Sequence, residues 1–185
     1  MLINFELSEA DLEHFRKAMQ NACQSCTGLS REQIIEQANT LLLKVKQSNT
    51  SDFIRDRMSQ LSIMIDMLND QRWNMSAEDA KRVLSALSYF SDPQGLIPDD
   101  LPVLGYLDDA IMVELVCKEL EHEMQAYREF LAFAAEQPAP KADNKAPPNK
   151  ADWMEERRQQ LHARMRRRRQ GAATGKTTKS PFSLF

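Results

Sequence analysis

Glycine is scarce in this chain, with 5 residues in 185, and so is histidine, with 3. So little glycine argues against a turn-rich β fold. With three histidines, one of them in a basic tail (His162), no Ser–His–acid or Cys–His constellation can be assembled from the sequence. Cysteine is also sparse: Cys23, Cys26 and Cys117 are too few for a disulfide framework. Long apolar runs are missing. The best one, Val83 to Ser91, is bounded by Arg82 and Asp92 and falls far short of the roughly 18 residues a membrane helix needs. The first residues, Met1 to Glu6, lack both a basic stretch and a long apolar stretch, so no signal peptide is visible and the chain is expected to stay in the cytoplasm.

What is present is apolar material and charge. Hydrophobic residues make up 42% of the chain, enough for a real core. The net charge of −3 conceals an asymmetry. Residues 141–185 hold 12 Lys/Arg against 4 Asp/Glu, a net of +8, which leaves the rest of the chain at −11. Segments of opposite sign imply different partners, or attraction for each other.

Helical spacing dominates the first 136 residues. Leu12, Phe15, Met19 and Cys23 form one stripe; Ile34, Ile35, Ala38, Leu41, Leu42 and Val45 another; Phe53, Ile54, Met58, Leu61, Ile65 and Leu68 a third; Val83, Leu84, Leu87 and Phe90 continue the pattern. Ser8, Ser30 and Ser76 sit where N-caps belong, and Gln33 lies three residues after Ser30, as a capping box requires. The pattern predicts helices near 9–26, 31–47, 51–72 and 77–90, then one long helix near 107–135. Between the last two, Pro93, Pro98 and Pro102 predict an irregular connector, with Leu96, Ile97, Leu101, Val103 and Leu104 available to plug the core. The fold class is therefore all-α: a compact, acidic helical domain over 1–136, a Pro/Ala/Lys linker over 137–150, and a disordered basic tail over 151–185 containing a short helix near 151–169.

The run from Tyr89 to Ala110, Tyr-Phe-Ser-Asp-Pro-Gln-Gly-Leu-Ile-Pro-Asp-Asp-Leu-Pro-Val-Leu-Gly-Tyr-Leu-Asp-Asp-Ala, resembles the signature of the YkvA-like family, a bacterial domain of unknown function. The resemblance covers about residues 75–115. It departs from the family where Gly95 stands in place of an Asp before Leu96-Ile97-Pro98. It implies a small helical domain, sometimes labelled membrane-associated, and no reaction.

Asp99, Asp100, Asp108 and Asp109 cluster in this run and admit two readings. Asp108 and Asp109 suit the positive end of the long helix, and the four carboxylates together could hold a hard cation such as Mg²⁺ for a metal-dependent enzyme. Other motifs are weaker. Cys23-Gln24-Ser25-Cys26 has no second pair to complete a zinc site. Glu119-Leu120-Glu121-His122 lacks the partners of a di-iron bundle. Gly171 to Thr177 is one residue short of a phosphate loop. Nothing calls for a cofactor.

The tail points most directly at a function. Arg157, Arg158, Arg164, Arg166, Arg167, Arg168 and Arg169 form a dense block suited to phosphates. Trp153, Met154, Leu161 and Met165 add a thin apolar stripe. Such a helix can lie on nucleic acid, on an anionic membrane or on an acidic partner, including the acidic domain of its own chain. At the end, Phe182, Leu184 and Phe185 place three large apolar groups on a polar tail, a composition that invites a pocket on another protein. Ser183-Leu184-Phe185 resembles the close of peptides that dock on the bacterial sliding clamp, although Phe182 and Pro181 depart from that pattern. The expectation is a non-enzymatic adaptor: its tail binds a polyanion, nucleic acid first, and its C-terminal peptide docks on a protein partner. The alternatives are a peripheral protein on anionic lipid and a metal-dependent enzyme using residues 99–109.

Overall fold

A computed structural model describes residues 6–25, 28–91, 97, 101, 104–136 and 150–174. The described residues are all-α. Helices α1 (Glu9–Ser25), α2 (Arg31–Gln47), α3 (Asp52–Asn69) and α4 (Ala77–Leu87) are followed by a 3-10 turn (Ser88–Ser91), then α5 (Leu107–Glu119), α6 (Glu121–Glu136) and α7 (Lys150–Thr174).

The caps form where the serines are. The Ser30 backbone N–H donates to Gln33 Oε1 at 2.8 Å while the Gln33 N–H donates to Ser30 Oγ at 3.2 Å, closing the capping box of α2. Ser51 caps α3 through the Ile54 N–H, and Ser76 caps α4 through the Asp79 N–H at 3.2 Å. The Ser76 hydroxyl also donates to Asp79 Oδ2 at 2.6 Å, which fixes the direction of that carboxylate.

Helix α3 is the centre of the core. Its Ile54, Met58, Leu61, Met64, Ile65 and Leu68 are buried, and it packs on α2, α5 and α6. After α3 the chain turns sharply: the N–H groups of Trp73 and Asn74 both donate to the Asp70 carbonyl, and Asn74 takes a positive φ of 45°. Asn tolerates that left-handed conformation better than most side chains do. The turn drives Trp73 into the core, fully buried, against Tyr127 and Phe130 of α6 at ring-centre distances of 5.6 and 5.2 Å.

Three expectations are corrected. The single helix near 107–135 is two helices: the chain breaks at Leu120, whose backbone (φ −100°, ψ 18°) leaves the helical region while its side chain is completely buried. Burying Leu120 competes with helical continuity and wins. Leu101 and Leu104 do not plug the core, being 44% and 40% exposed. The helix expected at 151–169 runs longer, from Lys150 to Thr174, and lies packed against α6.

Candidate functional site

Helix α7 meets the domain along one stripe. Leu161 and Met165, one turn apart, are buried, and His162 beside them packs at a tilt of 56° on the Trp73 indole with ring centres 4.1 Å apart. Continuing the same step, Met165 leads to Arg169, which enters a buried acidic site. Arg169 Nη1 lies 2.6 Å from Asp79 Oδ1 of α4 and 3.0 Å from Glu123 Oε1 of α6, with Glu78 3.7 Å from its other nitrogen. Arg82 adds a second contact to Glu123 Oε1 at 3.3 Å, and Arg166 approaches Asp79 Oδ2 at 3.9 Å. Asp79 and Glu123 are 1% and 0% exposed, so these charges are compensated inside the protein.

Burial alone would raise the pKa of Asp79. Hydrogen bonds from Ser76 and Arg169, and the charges of Arg169 and Arg166, outweigh it and hold the carboxyl below its usual range. His162 shifts downward as well, because burial disfavours its cation and Arg166 and Arg158 repel it, against an opposing pull from Asp79. Three buried atoms around this junction have no hydrogen-bond partner among the described residues: Glu123 Oε2, His162 Nε2 and Trp73 Nε1.

The flank of α7 that adjoins α6 carries a second set of arginines. Arg168 donates to Gln125 at 2.9 Å, Arg164 pairs with Glu129, and the Arg157 guanidinium lies over the Phe133 ring, 5.6 Å from its centre. These contacts form an antiparallel ladder, descending α7 as they climb α6. Hydrogen bonding to Arg164 holds Glu129 below its usual pKa. Above the ladder opens a groove of about 510 Å³ lined by Arg157, Gln160, Leu161, Arg164, Arg167 and Arg168. Helical spacing explains it: 157, 160/161, 164 and 167/168 recur every three to four residues and share one side of α7. Trp153, one turn ahead of Arg157 on that side, is 53% exposed.

The seven arginines of the block therefore divide. Arg169 is inside the acidic site, with Arg166 at its edge. Arg158 pairs with Glu155 and reaches the Arg72 carbonyl. Arg157, Arg164, Arg167 and Arg168 face the groove. The apolar stripe divides too: Leu161, Met165 and Met154 pack on the core, and Trp153 does not. The residues that sequence reasoning missed are the receiving ones, namely Trp73, Asp79, Glu123, Gln125, Glu129 and Phe133. Of these, only Asp79 carries a local signal, three residues after the N-cap Ser76.

Of the four aspartates, Asp108 and Asp109 are buried at the start of α5, where Asp108 accepts a hydrogen bond from the Ile97 N–H at 3.1 Å. Asp99 and Asp100 lie outside the described residues, as do Phe182, Leu184, Phe185 and Cys26. Among the described residues, no three His, Cys, Asp or Glu side chains gather into a metal-holding group, and no helix is long and apolar enough to cross a membrane.

No curated protein and no solved structure matches this chain. One family model, described as a protein of unknown function (DUF1232), matches residues 82–115, which run from Arg82 in α4 through the proline-rich connector to Leu115 in α5. The match is partial: it falls within the stretch whose sequence resembles the YkvA-like signature and stops short of α6 and α7, which carry the arginine groove.

Proposed function

We propose that the protein is a non-enzymatic adaptor that binds a polyanion, nucleic acid, through the groove-facing arginines of α7, and that the peptide around Phe182, Leu184 and Phe185 docks on a protein partner. The supporting observation is the groove itself: Arg157, Arg164, Arg167 and Arg168 line one side of a helix whose other side is anchored in the core. An anchored helix loses little additional conformational freedom on binding, so its guanidinium groups meet phosphate at lower entropic cost than on a free tail. Guanidinium forks match phosphate oxygens, and counterion release makes the attraction salt-dependent.

Fluorescence anisotropy with a labelled oligonucleotide at 50 and 200 mM salt tests the polyanion reading. Four phosphate contacts predict a log–log salt slope of about −3 on a single strand. Replacing Arg157 and Arg167 together by Ala, which touches neither the Glu129 nor the Gln125 contact, should weaken binding and flatten that slope. Salt-independent binding, or none, contradicts it. For the terminal peptide, capture from nuclease-treated lysate with the full chain and with a chain ending at Ser180 should differ by at least one protein. Identical captures remove the docking role.

A further inference from the structure

We infer that the groove on α7 takes single-stranded nucleic acid, with Trp153 as a stacking platform at one end and Arg157, Arg164, Arg167 and Arg168 along the backbone track; this rests on the polyanion reading above and narrows it. Three observations converge. Trp153 is 53% exposed although it is an indole, whereas the other tryptophan, Trp73, is completely buried. It stands one turn before Arg157, on the side of α7 that the groove occupies. From Trp153 to Arg168 the helix rises about 22 Å, which corresponds to roughly six nucleotides at a stacked spacing of 3.4 Å.

The packing of α7 selects against a duplex. A lone helix fits the major groove of B-DNA, which is about 12 Å wide. Helix α7 is not alone: Leu161, His162 and Met165 seat it on the domain, and Gln125, Glu129 and Phe133 of α6 run beside its arginines. Two packed helices with axes 8–10 Å apart present a face of about 20 Å, too broad to enter that groove. Glu129 beside the track would also meet the second strand of a duplex with like charge. A single strand needs neither a wide groove nor a second set of cations. It lies along one line of guanidinium groups and turns a base onto an exposed indole, a sequence-tolerant contact.

The full chain is titrated with three probes under identical salt: a twelve-nucleotide oligo-dT, a twelve-base-pair duplex, and vesicles with and without phosphatidylserine. Because Trp73 is buried, a change in the emission of the exposed tryptophan reports Trp153. The inference expects oligo-dT to bind at least five-fold tighter than the duplex and to quench Trp153. It expects Trp153→Ala to weaken oligo-dT about five-fold or more while leaving duplex affinity unchanged, and Trp153→Phe to restore most of the loss. Duplex binding as tight as oligo-dT, lost in Arg157→Ala/Arg167→Ala and indifferent to Trp153→Ala, overturns the single-strand inference and leaves the polyanion reading standing. Binding to phosphatidylserine vesicles alone, or to none of the probes, overturns both.

Discussion

Arg169 and Asp79, ninety positions apart, meet at 2.6 Å and tie the basic helix to the acidic domain. The contact is the end of a continuous stripe on α7 (Leu161, Met165, Arg169), in which two buried apolar groups are followed by one charge, and the domain answers with Trp73, against His162 beside that stripe, and then with Asp79 and Glu123. The opposite charges of the two segments are thus used, at this point, to hold them together. The arginines left on the flank of α7 are those that face solvent and the groove.

Removing Arg169 should cost more than its place near a helix end implies. Arg169→Ala leaves Asp79 and Glu123 buried without their closest cation, and breaking such a pair from one side typically costs about 3–5 kcal/mol. Arg82 and Arg166 remain nearby, so the lower end of that range is expected. Thermal denaturation should show a lower Tm, and hydrogen exchange should accelerate in residues 158–169 more than in α3. Unchanged exchange in α7 would show that Leu161 and Met165 alone hold the helix.

Docking of α7 should weaken as pH falls below about 6.5, the ordinary pKa of histidine. His162 is depressed in the folded protein, so its neutral form is the one that fits against Trp73. Its contribution is fully present above its unfolded value and is lost as pH falls through the lower folded value. The groups facing it are Arg158, Arg166 and Glu155 on α7 and Asp79 on α4. Asp79, also depressed, keeps its contribution down to its unfolded value near 3.8 and loses it only in stronger acid, so the two transitions separate. Hydrogen exchange in α7 between pH 5 and 8 should show the first, and His162→Phe should flatten it. The same pH profile in His162→Phe would assign the effect elsewhere.

The parts of this arrangement legible in the sequence are the local ones. Ser30 with Gln33 and Ser76 with Asp79 are three residues apart, so their capping bonds depend on almost nothing distant. The stripes of α1 to α4 were legible for the same reason, apart from Phe53, which is 38% exposed. The break at Leu120 was not: no Gly or Pro marks it, and it follows from where the rest of the core places that side chain. Leu101 and Leu104 were read as core because they are leucines, but an irregular segment has no period to say which side chains face inward. The arginine block shows the limit most directly. Charge identified all seven residues together, while the division into anchored and groove-facing arginines depends on where Asp79 and Glu123 sit. The four-residue step from Leu161 through Met165 to Arg169 was the one local clue.

Cys117 should be chemically quiet. Burial, reinforced by the charge of Glu114, pushes its thiol up to about 11. At pH 8 the thiolate, the reactive form, is then on the order of one part in a thousand. Mass mapping after a short treatment of the folded protein with iodoacetamide at pH 8 should find Cys117 unmodified, with modification appearing in denaturant. Rapid alkylation of native Cys117 would show that α5 opens readily.

Trp73 is the residue on which the domain and the basic helix jointly depend. It is fully buried and touches rings from two directions, Tyr127 and Phe130 of α6 and His162 of α7. Trp73→Ala should cost about 3–5 kcal/mol, the usual range for removing a large buried aromatic side chain. The loss should not be uniform. The ring contacts of the indole are with α6 and α7, and α7 loses the surface on which His162 rests. Hydrogen exchange should therefore rise most in α7 and the second half of α6. The salt slope for oligonucleotide binding should become steeper, because Arg166 and Arg169, released from Asp79 and Glu123, join the four at the groove. A uniform rise in exchange with an unchanged slope would mean that α7 stays docked, and that the indole stabilises the domain without presenting the arginine face.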